Sequence, residues 1–326
     1  MSFTFINPPF SATRSEYDQA IAAVVQQLQS AEGLLAIYRF GNITSPGISD
    51  IDLLAVFENE TRCEMSGFEK LPTHLRKLFT HGVMALSKKH FLERNQFTIW
   101  SEDHLVWGNT IKSDSDELPS QDELIILKRQ IAIEYLLINY IDLRIQTRYQ
   151  ILNLRSSLQH FKGVVYDLDF LSIGDHPLRE NLLIIKKWYA EWFTNPPSKK
   201  EIEKWMANYT DLLIPFLNAV LKQEPLYLPE KNIYQLAKNI TLSRGNDLCV
   251  EHNGFLFPSV IAALLEKKYV KFLNKINSFH FEAAITHTTD HPVLINRMAY
   301  LKEMVQYNAA YLPNFMPIST MISSKL

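Results

Sequence analysis

Two short apolar runs stand close together near the start of the chain, residues 34–40 (LLAIYRF) and 51–57 (IDLLAVF). Each has the length of a strand and is rich in β-branched and aromatic side chains. The segment between them, GNITSPGISD, is dense in turn-forming residues. Upstream, Tyr17, Ile21, Val24, Val25 and Leu28 recur at three- and four-residue steps. That period predicts a helix over 15–30, ended at Glu32-Gly33, behind an extended arm at 1–13. Downstream, Phe68, Leu71, Leu75 and Leu78 predict a helix over 67–79 with Pro72 near its first turn. Residues 81–86 read as a third strand, and 97–100 with 104–108 as a hairpin turning at SEDH.

A polar, acidic break at 112–121 marks the best boundary. Beyond it the period lengthens, and helices are predicted over 122–150, 152–165, 178–194, 198–222, 258–277 and 293–311. Ser120 with Glu123 forms a capping-box pattern ahead of the first of these. Asn253-Gly254 predicts a small hairpin near 248–257. The expected class is α+β: a mixed-sheet domain over 1–115, then a mainly helical domain over 116–326.

The second apolar run carries the chemistry. Side chains two apart on a strand share a side, so Asp50 and Asp52 project together beside a loop of backbone N–H donors. Paired carboxylates repel unless a cation lies between them, and Mg²⁺ favours oxygen ligands completed by substrate phosphates. Asp50 and Asp52 are therefore the candidate metal and catalytic pair, with Mg²⁺ (or Mn²⁺) as the ion. Gly41, Asn42, Thr44, Ser45 and Ser49 are the candidate phosphate-binding residues of the loop.

This pattern, Phe40-Gly41-Asn42, a loop, then Ser49-Asp50-Ile51-Asp52, resembles the nucleotidyltransferase superfamily over about residues 20–110. The resemblance implies a nucleotidyltransferase-like domain that binds a nucleoside triphosphate such as ATP. It implies transfer of the nucleotidyl group to an acceptor hydroxyl. Asn42 stands where the family usually has Ser or Gly. The third carboxylate, which the family carries on a following strand, has its natural place at 81–86, and that stretch holds no acid. His81 and His104 are the candidates to stand in for it. The alternative is a nucleotidyltransferase fold that has lost catalysis and acts as a nucleotide-binding or protein-interaction module. A third possibility is an interaction protein working through its helical half.

Composition narrows the partners. Among 326 residues, 33 Lys and Arg nearly balance 35 Asp and Glu, for a formal net charge of −2. That disfavours a general nucleic-acid binder and leaves a small-molecule or protein acceptor. Cys63 and Cys249 match no metal spacing and are expected to be packed, reduced thiols. The start of the chain has no basic, apolar leader pattern. The most apolar helical stretch is interrupted by Lys128, Arg129, Glu134 and Asp142, so a cytoplasmic protein without membrane partners is expected. Further along, Lys162 is a candidate phosphate contact and Tyr166 a base-stacking residue. Arg144, Arg148 and Arg155 are candidate anion ligands. Lys267, Lys268, Lys271 and Lys275 form a basic helix face.

Overall fold

A computed structural model describes residues 2–99, 103–112 and 118–318. The elements run in the order β1 (Thr4–Ile6), α1 (Arg14–Leu28), β2 (Leu34–Phe40), β3 (Asp52–Phe57), α2 (Thr73–Arg76), β4 (Met84–Ser87), α3 (Lys88–Phe97), β5 (Asp103–Gly108) and α4 (Gln121–Tyr149). They continue with β6 (Ile151–Asn153), α5 (Leu154–Phe170), α6 (Pro177–Glu191), α7 (Lys199–Gln223), β7 (Ile233–Ala237), β8 (Ile240–Arg244) and β9 (Cys249–Asn253). Last come α8 (Ala262–Leu265), α9 (Lys267–Ile276), β10 (Ser278–Ala283) and α10 (Pro292–Tyr311). The protein is α+β with mixed sheets. By packing, the described chain falls into two units: residues 10–127 with 292–318, and residues 2–9 with 128–291. The division differs from a single cut at 115/116, because the last helix belongs with the N-terminal sheet.

The first unit is built on the sheet β4-β3-β2-β5. β2 is antiparallel to β3 and β5, and β4 is parallel to β3. Strand alternation sends Ile37, Leu53, Ala55, Phe57 and Ala85 to one face, where Tyr17, Ala20, Val24 and Leu28 of α1 cover them. Tyr38, Leu54, Val56 and Leu86 go to the other, covered by Phe91 of α3 and by Tyr300, Leu301 and Met304 of α10. Helix α1 starts from a reciprocal capping box between Thr13 and Glu16.

Several expected elements take another form here. Of the helix predicted at 67–79, only α2 is helical. Pro72 stands at its N-cap and Gly67 takes a positive φ of 77°, so the chain reaches the core through turns, although Phe68, Leu71, Leu75 and Leu78 are still buried. The third strand starts at Met84, leaving His81 in the turn before it. Among the described residues, α3 and β5 stand where the hairpin was predicted, and its turn residues Ser101 and Glu102 lie outside them. Ser87 caps α3 by accepting from the His90 N–H, and Phe97 ends the helix rather than starting a strand. Trp100 lies outside the described residues.

In the second unit, β1 and β6 pair in parallel. Helices α5, α6 and α7 bury Phe161, Tyr189, Trp205 and Tyr209. The Asn253-Gly254 hairpin does not form. Instead β9 pairs with β10, within the sheet β7-β8-β10-β9, whose Phe279 and Phe281 pack against Tyr149 and Tyr140 of α4. The expected single helix over 258–277 is broken at Glu266. Cys63 is buried, whereas Cys249 is exposed, contrary to the expected packing. No helix among the described residues is long and apolar enough to cross a membrane.

Asp167 of α5 sits in this helical core at 5% exposure, near Tyr209, whose phenol pKa is raised mainly by burial and secondarily by Asp167. Burial holds its carboxyl well above the ordinary 3.8. The unfolded chain releases that proton near its ordinary pKa, while the folded chain keeps it. Asp167 therefore favours folding most at low pH, and that contribution is lost as pH rises through the raised value. Asp167→Asn is expected to be more stable than wild type by a margin that widens between pH 5 and pH 8 in urea unfolding. Parallel pH profiles for the two chains would refute this.

Candidate metal centre

The site is assembled where β2 turns into β3. After Phe40, Gly41 takes a φ of 61°, a backbone shape that costs glycine least, and a Cβ there would meet nothing within 4 Å. The loop then folds back on itself. Ile43, Ile48 and Ile51 are buried in the unit's core. The Tyr17 hydroxyl accepts from the Gly47 N–H at 2.9 Å and donates to the Ser49 carbonyl at 2.6 Å. The Ser49 hydroxyl accepts from the Ser45 N–H at 3.1 Å, and the Ile48 and Ser49 amides donate to the Ser45 carbonyl.

This wiring sorts the candidate phosphate residues. Ser45 and Ser49 are buried and take part in the loop's own hydrogen bonds. Gly41 is half-buried beside open space, and Asn42 and Thr44 are exposed. Lys162 belongs to the second unit, where its ammonium lies 3.9 Å from the centre of the Tyr189 ring. Of the residues expected to hold phosphate, Gly41, Asn42 and Thr44 are those open to a ligand next to the acids.

The acids do converge. The Ile51 N–H donates to the Leu78 carbonyl at 3.3 Å, which draws the turn before β4 alongside the start of β3. Thr80 then donates its hydroxyl to Asp50 Oδ2. His81 Nε2 lies 2.7 Å from Asp52 Oδ1, and His81 Nδ1 lies 2.7 Å from the carbonyl oxygen of Gly82. One ligand atom from each of Asp50, Asp52 and His81 falls within 4.8 Å of the others. The side chains of His81 and Asp52 are 26% and 34% exposed, so the cluster is recessed but open to solvent. Burial alone would lower the His81 pKa. The hydrogen bonds to Asp52 and to the Gly82 carbonyl, with the two carboxylate charges, outweigh it and push the value up to about 9.

Among the described residues, no third carboxylate joins them. Asp103 stands in register with Phe40, as Asp52 does from the other side, so the two acids are two strands apart, roughly 10 Å. Asp103 is also engaged by Arg94 at 2.6 Å. It opens β5 rather than turning a hairpin. His104 is exposed on β5 and is not part of the cluster. Tyr38 shares the Asp52 face of the sheet and stacks on Phe91 at 4.9 Å, while Arg39 points to the opposite face. Arg148 is within 3.3 Å of His252 in the second unit, and Arg155 is buried there, so neither belongs to this cluster.

Two contributors carried little signal in the sequence. Tyr17 reads as one more apolar position of α1, and its hydroxyl is the only mark of a second role. Thr80 is a polar residue in a turn. A cavity of about 390 Å³, lined by α1 residues such as Asp18 and Gln26 and by Val106, includes none of the cluster residues. No protein-family model, no curated protein and no solved structure matches the chain.

Proposed function

We propose that the first unit is a nucleotidyltransferase-like domain that binds a nucleoside triphosphate and a divalent cation and transfers the nucleotidyl group to a hydroxyl of a small-molecule or protein acceptor. The observation that carries this reading is the convergence of Asp50, Asp52 and His81 beside the open turn at Gly41. The donor set fits a metal ion. Two carboxylates provide charge. His81 has its Nδ1 turned to the Gly82 carbonyl, and Nε2 would serve as a ligand once an ion displaced the proton it shares with Asp52. An imidazole among the donors favours Mn²⁺ or a similar transition ion over Mg²⁺, which prefers oxygen alone. When bound, such an ion neutralises polyphosphate charge and polarises the phosphoryl oxygens.

The chain's own part is positioning. Gly41 and Asn42 would present backbone amides to phosphate oxygens, a role for which a bulky side chain at Gly41 would be a hindrance. Thr80 holds the Asp50 carboxylate, and the Tyr17 hydroxyl holds the backbone just before it.

The test is incubation with labelled triphosphates and Mn²⁺ or Mg²⁺, reading pyrophosphate release and label transfer. Activity is expected to need the metal and to vanish in Asp50→Ala; equal turnover in that variant would rule the site out. The close His81–Asp52 contact favours a second reading, in which the domain binds nucleotide without turning it over. Metal-independent nucleotide binding with no pyrophosphate release would select it.

A further inference from the structure

The described residues expose seventeen large hydrophobic side chains, and seven of them fall between Phe255 and Phe272 of the second unit. Phe255 is 73% exposed, Val260 66% and Leu264 84%, with Leu256, Phe257, Leu265 and Phe272 all near half. Isolated exposed apolar residues are ordinary, but a run of this density is not. The Phe257 and Phe272 rings lie 6.0 Å apart, so the loop before α8 and the side of α9 form one surface.

The backbone exposes this surface at some cost. In an unbroken helix Leu265 would precede Tyr269 and Leu273 at four-residue steps and share their buried stripe. Glu266 instead takes a φ of 44°, which a non-glycine residue rarely adopts, and the break leaves Leu265 outside.

Charge lies along the rim. On α9, Lys268 and Lys275 stand four before and three after Phe272, and Lys271 sits between them on the same side; Lys267 adjoins. Over this stretch four lysines face a single acid, Glu266. Phe255, Phe257 and Phe272 are rings on which bases can stack, but Leu256, Val260, Leu264 and Leu265 are not, and that aliphatic bulk matches acyl chains better than a nucleic acid. Lysine stems can lie along apolar matter while their ammonium groups stay in water.

We infer that residues 255–275 form a docking surface for an anionic lipid bilayer, with Phe255, Leu264 and Leu265 entering the interface and Lys268, Lys271 and Lys275 meeting headgroup phosphates. This contact lies on the membrane and does not span it. It departs from the expectation of no membrane partner, which rested on hydropathy for spanning.

The full chain would be sedimented with vesicles of phosphatidylcholine alone and of phosphatidylcholine with 30% phosphatidylserine (about this fraction suffices), at low and high salt. Binding is expected only with the anionic vesicles and should weaken as salt rises. Phe255→Ser with Leu264→Ser should lower partitioning at least about tenfold, and each lysine changed to glutamate by about fivefold or more. These side chains are exposed, so unchanged thermal melting serves as the folding control. Absence of binding to anionic vesicles would overturn the proposal, as would binding indifferent to the substitutions. So would concentration-dependent self-association abolished by the same double variant, which would assign the surface to a second copy of the chain.

Discussion

Asp52→Ala is expected to lower Mn²⁺ affinity about a hundredfold or more, measured by titration calorimetry or by the paramagnetic signal of free Mn²⁺. Substituting groups that only orient a ligand commonly costs ten- to a hundredfold in affinity, and losing a ligand itself costs no less. Asp52 also has a second task. It faces His81 Nε2 at 2.7 Å, so its removal leaves the imidazole without the carboxylate that positions it. The companion substitution His81→Asp tests the donor chemistry rather than the count of ligands. It places a third carboxylate where an imidazole stands, and Mg²⁺ gains an all-oxygen set. The preference for Mn²⁺ over Mg²⁺ should then fall by about tenfold. An Asp52→Ala chain that binds Mn²⁺ as tightly as wild type would remove the metal centre altogether. An unchanged preference in His81→Asp would remove only the imidazole from it.

Tyr17→Phe is expected to destabilise the protein by about 2–4 kcal/mol in urea unfolding, a large share of the stability of an ordinary domain. The substitution keeps the ring and creates almost no cavity, so it isolates the hydroxyl. Tyr17 is fully buried, and the deleted oxygen serves two backbone groups, the Gly47 N–H and the Ser49 carbonyl. Each loses this partner in a place that water reaches poorly, and an unsatisfied buried group costs roughly 1–3 kcal/mol. The effect should also reach the site, because Ser49 directly precedes Asp50. Amide exchange at Gly47 should quicken, and Mn²⁺ affinity should fall while every proposed ligand is still present. A loss below about 0.5 kcal/mol would mean that the loop is held by its isoleucines alone.

Local pattern carried far in this chain where an element has a clear apolar period of its own. The apolar runs placed β2 and β3, the three-and-four spacing placed α1, α4, α7 and α10, and Ser120 with Glu123 formed the capping pair its spacing implied. Asp50 and Asp52 do come together, but β3 starts only at Asp52, so the strand alternation expected to align them does not reach Asp50, which Thr80 holds in place. The failures are equally local in origin. KKHFLERNQF has a weak apolar period, so α3 was hidden, and its start was set by the Ser87 cap. The turn signal at Asn253-Gly254 is real, but β9 found its partner in β10.

By itself, the sequence determined the two strands and the turn between them, because strand periodicity and turn chemistry are written within a few residues. Only the tertiary structure decided that Thr80 and His81 meet those acids. That meeting follows from one backbone bond between Ile51 and Leu78 and from the burial of Leu75, Leu78 and Phe79 beneath the sheet. The return of α10 to cover the second face of the first sheet was likewise settled by which apolar surface remained to be buried. Such pairings depend on the faces that distant segments leave open, and no window along the chain contains that information.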